Sequence, residues 1–279
     1  MEPTASIIVG VHGIAQQQLG RHQLREPWRR SLADGLERAS GTEVPLPPLD
    51  IAYYGDLFLP TADDSKGGGE PSDEPAGAEA AELAAAVDEI VAEPTGTAEE
   101  KAFTRSPLPL QGALRLLDRQ FGAALGSLCL GELRQVQRYL RDVAIRPAVD
   151  ERVDAAVTPH CRVLVGHSLG SVVALVHVLR HPERRFDLLL TLGSPLGLRL
   201  ILDRIAPGSG PLSRPASVAR WVDVRDPRDP VASVRVASRW DGVQEHLVDN
   251  QSHAHAAERY LGKRVTGEAV LAVVPDLVP

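Results

Sequence analysis

Apolar runs of four to seven residues alternate along this chain with longer stretches whose apolar positions recur every three or four residues. The short runs, rich in Val, Ile and Leu, predict strands over residues 7–11, 49–54, 162–165, 188–192, 221–224 and 245–248. Runs this continuously apolar suit strands buried on both faces. The helical period predicts helices over residues 26–39, 169–179 and 255–261, and a strongly helical stretch from 108 to 149 that supplies one or two more. Strand and helix patterns in alternation predict an α/β chain, a mostly parallel sheet with helices on both faces.

Residues 60–104 break this rhythm with Gly67-Gly68-Gly69 and prolines between Pro60 and Pro94. Within that stretch, residues 61–101 hold 12 acids and two lysines, a net −10. The chain as a whole carries −7, so its remainder stands at +3. This composition predicts a partly disordered insertion, with a helix over residues 78–91 that puts Leu83, Val87, Ile90 and Val91 on one face. One large domain over 1–279 with an insertion or cap over 60–150 fits the length. Two readings of 60–150 stand open: a lid over a site, or a surface linker followed by ordinary packing helices.

Composition narrows the function classes. Only 4% of residues are aromatic, so Leu, Val and Ala must fill the core. The absence of a basic cluster with interleaved aromatics argues against nucleic acid as a partner. No apolar run is long enough to span a bilayer, which predicts no stable membrane insertion. Cys129 and Cys161 lack the spacing of a disulfide framework or of a zinc or redox pair, and with no leader-like N-terminal pattern they predict a cytoplasmic protein.

The chemistry-bearing segment is Gly166-His167-Ser168-Leu169-Gly170, set between the apolar runs Val163-Leu164-Val165 and 172–179. This is the setting of a nucleophile elbow, in which a sharp strand-to-helix turn holds a serine hydroxyl out beside a base. The glycines keep the turn free of clashes. The turn also places the Leu169 N–H at a helix start, where it can receive a developing oxyanion.

Four separated motifs resemble those of the α/β-hydrolase superfamily, and its lipase and esterase branch in particular. They are Val11-His12-Gly13-Ile14, the elbow, Leu190 through Gly193-Ser194-Pro195-Leu196, and Asp226-Pro227-Arg228-Asp229-Pro230-Val231-Ala232. The resemblance implies that Ile14 donates a second oxyanion-hole N–H, that His12 and Gly13 shape that loop, and that His167 supports the elbow. The fold's chain order of serine, acid, histidine puts both partners of Ser168 downstream. For the base the candidates are His177, His181, His246, His253 and His255. His255 is favoured because it precedes Tyr260-Leu261 by the spacing seen in similar hydrolases, with His253 as competitor and adventitious metal binding by the two as a further reading. For the acid, Asp229 in Asp-Pro-Val is favoured over Asp226, which suits a turn cap; Asp223 and Asp249 are less favoured.

The expected function is a serine hydrolase of acyl esters, working through Ser168, Asp229 and His255 with no metal or organic cofactor. A thioesterase or peptidase on the same triad, or a hydrolase-fold binding protein without turnover, are the alternatives. The expected partner is a small acyl ester.

Overall fold

The computed structural model describes residues 6–13, 19–59, 77–93, 110–208 and 212–278. Its strands are β1 (Ile8–Val11), β2 (Leu49–Ala52), β3 (Val163–His167), β4 (Phe186–Leu192), β5 (Leu212–Ser213), β6 (Val218–Arg225), β7 (Trp240–Asp241) and β8 (Val243–Leu247). Six of them form a wholly parallel sheet in the order β2-β1-β3-β4-β6-β8, and β5 pairs with β7 beside it. The helices are α1 (Arg21–Ser40), α2 (Gly77–Ala92), α3 (Leu110–Phe121), α4 (Ala123–Arg141), α5 (Ile145–Ala156), α6 (Leu169–Arg180), α7 (Arg199–Ile205), α8 (Ala257–Leu261) and α9 (Arg264–Leu271).

The period of two along each strand decides which helices it meets. Ile8, Val163, Val165, Leu188, Leu190, Val222 and Val224 share one apolar cluster with α1, α8 and α9. Their alternates Val9, Val11, Leu164, Leu189 and Trp221 share the other with α2 through α7. Helices therefore cover both faces, as the alternation predicts. Because α6 is wedged between the sheet and α4 and α5, every residue from Leu169 to Val178 is buried.

Parallel pairing brings all six strand C-termini to one edge. The chain runs from β1 outward to β2, then returns to place β3 on the other side of β1. The order thus reverses between β1 and β3, and in open parallel sheets ligands bind at such a reversal, beyond the strand C-termini.

Residues 77–93 of the acidic stretch are a docked helix rather than a linker. Leu83, Val87 and Ile90 of α2 are fully buried in the larger cluster, with Val91 packed against it. Its acids meet the basic body: Glu82 pairs with Arg141 and Arg204, each at 2.7 Å, and Glu89 with Arg239 at 2.6 Å. The rest of the expected disordered segment, 61–76 and 94–101, lies outside the described residues.

Element boundaries differ from expectation in several places, including earlier starts for β4 (Phe186), β6 (Val218) and β8 (Val243). Helix α1 begins at Arg21 rather than Glu26, because Leu24, Trp28, Leu32 and Leu36 bury one face and the Gly20 N–H is taken by the Gln23 side chain at 2.8 Å. Pro27 then sits inside the helix, where it forfeits one backbone bond. The predicted 255–261 helix starts at Ala257, leaving His255 in the turn before it. Helix α9 was not expected; at Gly267 its backbone approaches Gly35 of α1 so closely that a Cβ would lie 2.0 Å from the Gly35 oxygen. Among the described residues no helix is long and apolar enough to cross a membrane.

Candidate active site

Ser168 sits between β3 and α6 with φ 54° and ψ −127°. An L-residue with a side chain reaches this region only under constraint, at a cost of about 1–3 kcal/mol. Here the constraint is visible: its N–H donates to the Leu192 oxygen at 3.1 Å and its carbonyl accepts the Ser171 hydroxyl at 2.6 Å. The flanking glycines allow the approach. A Cβ on Gly166 would lie 2.5 Å from the Ser171 Cα, and one on Gly170 would lie 2.0 Å from the Val11 oxygen. Leu169 follows as the first residue of α6, where backbone N–H groups have no intrahelical acceptor. Ser168 Oγ is buried and has no hydrogen-bond partner among the described residues.

The acid loop follows β6. Asp229, fully buried, caps the short turn Pro230–Ala232 by accepting the Val231 N–H at 3.0 Å. Its other oxygen, Oδ2, accepts from His255 Nδ1 at 2.8 Å and from the Tyr260 hydroxyl at 2.7 Å. Asp226, three residues earlier, accepts the N–H groups of Arg228 and Asn250 and serves the turn. Asp223 accepts the Thr191 hydroxyl at 2.6 Å inside the core, and Asp249 is exposed beside Arg228.

The histidines separate equally clearly. His255 is buried between the turn Gln251–His253 and α8, whereas His253 is exposed with its ring beside the Ser252 hydroxyl, at 3.0 Å, and His246 is exposed on β8. The structure therefore joins Asp229 to His255 and leaves His253 and Asp226 apart from that pair.

Around them stand the supporting residues. His12, at the end of β1, donates from Nδ1 to the Gly13 oxygen at 2.7 Å and accepts the Tyr54 N–H on Nε2 at 3.1 Å. Its ring stacks on Tyr54 with centroids 4.1 Å apart. Burial pulls its pKa down to about 4, so the ring is neutral. Gly13 lies against Ser168, since a Cβ there would be 2.9 Å from the Ser168 Cβ. His167 donates from Nε2 to the His255 oxygen at 2.8 Å, and burial, then His255, holds its pKa well below the usual imidazole value. Ile14 lies outside the described residues.

One residue at the site has no counterpart in the sequence reading. Glu132 of α4, 2% exposed, brings Oε1 to 3.5 Å from His255 Nε2. The imidazole is thus held between two carboxylates. Burial alone would lower its pKa, but Asp229 and then Glu132 outweigh burial and push it up to about 10. The signal for Glu132 was its helix position: Cys129, Leu133 and Val136 lie three before, one after and four after it, all fully buried. A cavity of about 400 Å³ opens here, walled by His12, Gly13, Trp28, Glu132, His167 and His255 among others.

Among the described residues one other set of donor atoms lies close together: those of Asp154, His177 and His181 fall within 4.8 Å of one another. Asp154 Oδ1 is within 2.9 Å and 3.0 Å of the two imidazoles and Arg180 flanks its other oxygen, so this cluster acts as a staple between α5 and α6. Cys129 and Cys161 are buried free thiols.

No protein-family model, no curated protein and no solved structure matches the chain.

Proposed function

We propose that this protein is a serine hydrolase of the α/β-hydrolase type that cleaves carboxylic acyl esters. The observation that carries the reading is the 2.8 Å hydrogen bond between Asp229 and His255, on the strand edge that also holds the strained Ser168. In the reaction Ser168 Oγ attacks the acyl carbonyl carbon while His255 Nε2 takes its proton. Asp229 holds Nδ1–H, fixing the tautomer and stabilising the imidazolium. The tetrahedral oxyanion is received by the Leu169 N–H and, as the family resemblance implies, by that of Ile14. His255 then protonates the leaving alcohol, and water, activated by the same imidazole, releases the acid. The chain order Ser168, Asp229, His255 supports the hydrolase type. Helices α3 and α4 serve as a cap, α4 packing on the acid turn and contributing Glu132 to the cavity. The buried free thiols fit a reducing, cytoplasmic setting.

Intact mass after exposure to a fluorophosphonate tests this without a choice of substrate. Wild type is expected to gain one adduct and Ser168→Ala none, with ester hydrolysis down by about 10³-fold or more and thermal stability nearly unchanged. Equal labelling of both proteins would sink the mechanism. The Glu132 contact favours a second reading, binding without turnover, and an unlabelled wild type would select it.

A further inference from the structure

Glu132 is costly where it stands. A carboxylate withdrawn from water demands a counter-charge or a full set of donors, yet Glu132 Oε2 is buried with no hydrogen-bond partner among the described residues. Among the described residues its ion-pair partner is the imidazole of His255, through Nε2. That same nitrogen must be unprotonated to accept the Ser168 proton. When His255 works as a base, Glu132 loses its counter-ion.

We infer that Glu132 is the anchor of a substrate subsite for a positively charged nitrogen, so that the preferred substrates are acyl esters bearing an ammonium group near the scissile bond. The inference rests on the serine-hydrolase reading and names its substrate class.

Three observations agree on the sign of the charge. Among the described residues lining the cavity there are two carboxylates, Glu132 and Glu258, and no lysine or arginine. With His255 neutral, the described residues of the buried centre set Asp229 and Glu132 against no fixed cation, a field that repels anionic substrates and attracts cationic ones. Trp28 lines the same cavity and offers the aromatic wall that alkylammonium groups favour. Position follows from the contact itself: a group bound by Glu132 sits beside the imidazole nitrogen that serves Ser168. Binding there also offsets the attraction that keeps His255 protonated, so the right substrate helps to free its own base. A neutral ester brings no such charge and leaves His255 protonated against Glu132.

The test compares kcat/KM for p-nitrophenyl esters whose acyl chains end in trimethylammonium, in tert-butyl, in hydroxymethyl or in carboxylate. Wild type is expected to favour the ammonium ester over its tert-butyl isostere by tenfold or more and to use the carboxylate ester least. Glu132→Gln, nearly isosteric, is expected to bring the ammonium and tert-butyl esters within about twofold. A wild type that labels with fluorophosphonate yet shows no ammonium preference, or prefers the hydroxyl ester, overturns the subsite while the hydrolase reading stands. An ammonium preference that survives in Glu132→Gln removes Glu132 from the role. Calorimetry on Ser168→Ala with the matching unreactive N-alkyl amides separates the subsite from turnover: tenfold tighter binding of the ammonium amide, lost on adding Glu132→Gln, supports it, and equal Kd values overturn it.

Discussion

Glu132 Oε1 stands 3.5 Å from His255 Nε2, the nitrogen opposite the one that Asp229 holds at 2.8 Å. Two carboxylates on one imidazole make a poor base at rest, because each favours the protonated ring. Among the described residues the groups facing that ring are Asp229 from the acid turn, Glu132 from α4 and His167 from β3, while the Tyr260 hydroxyl of α8 meets Asp229.

The pH profile follows from this pairing. With the His255 pKa pushed up to about 10, the base form is scarce near neutrality and grows as pH rises. For the tert-butyl ester, kcat/KM of wild type is expected to climb steadily from pH 6 to 9.5. Glu132→Gln removes one charge that favours the imidazolium, so its limb moves to lower pH by about one unit or more, and at pH 7 it hydrolyses this neutral ester roughly tenfold faster. Superimposable profiles for the two proteins would show that Glu132 does not govern the base.

Gly193 is the residue on which the acid and base close. Its φ is +53°, and a Cβ there would fall 2.8 Å from Asp229 Oδ2 and 2.9 Å from Tyr260 Cε2. Gly193→Ala is expected to push these groups out of register and lower kcat about a hundredfold, since small displacements at a reacting centre are costly. Steady-state kinetics and circular dichroism read this together; a folded variant with kcat within twofold of wild type would contradict it.

Asp223 carries a stability signature of its own. Burial raises its pKa to about 7, against the Thr191 hydroxyl that favours the charged form. In the unfolded chain the value is about 3.9. Between these limits the native state keeps a proton that the unfolded chain has lost, so the contribution of this group to stability falls as pH rises and levels off above about 7. Asp223→Asn mimics the protonated form, and its stability advantage over wild type is expected to grow between pH 4 and pH 8 to a few kcal/mol, on the order of 1.4 kcal/mol per pKa unit. Urea denaturation at both pH values measures it, and a constant difference would refute the assignment.

Leu83 tests whether α2 belongs to the core. It is fully buried among α2 and its neighbours. Leu83→Ala is expected to destabilise the protein by about 2–5 kcal/mol, the range for buried leucines. A change below about 0.5 kcal/mol in chemical denaturation would return α2 to the status of a loose appendage.

What the sequence disclosed and what it concealed divide along a physical line. Ser168 announces itself because the strained turn needs glycines at fixed offsets, and β1, residues 163–165 of β3 and residues 188–190 of β4 announce themselves because strands covered on both faces are apolar there. Asp229 and His255 carry local marks, a proline-bearing turn and a following Tyr-Leu pair. Glu132 carries none beyond its helix phase, and in Gly131-Glu132-Leu133 a charged residue reads as solvent-facing. Its burial is decided by α4 lying against the acid turn, a contact nearly a hundred residues away in the chain. The same holds for the acidic helix: its net charge suggested detachment, whereas Arg141, Arg204 and Arg239, scattered in sequence, gather to receive it.

The reversal of strand order between β1 and β3 has a consequence for how the chain is made. One edge of β1 is satisfied by β2 soon after both are synthesised, but the other waits for Val163 through Gly166. During synthesis, until more than half of the chain has left the ribosome, Ile8, Val9 and Val11 present an open, wholly apolar ladder. Such an edge invites pairing with other chains. The strand whose Val11 later packs against the turn at Gly170 is therefore an aggregation hazard in the nascent protein.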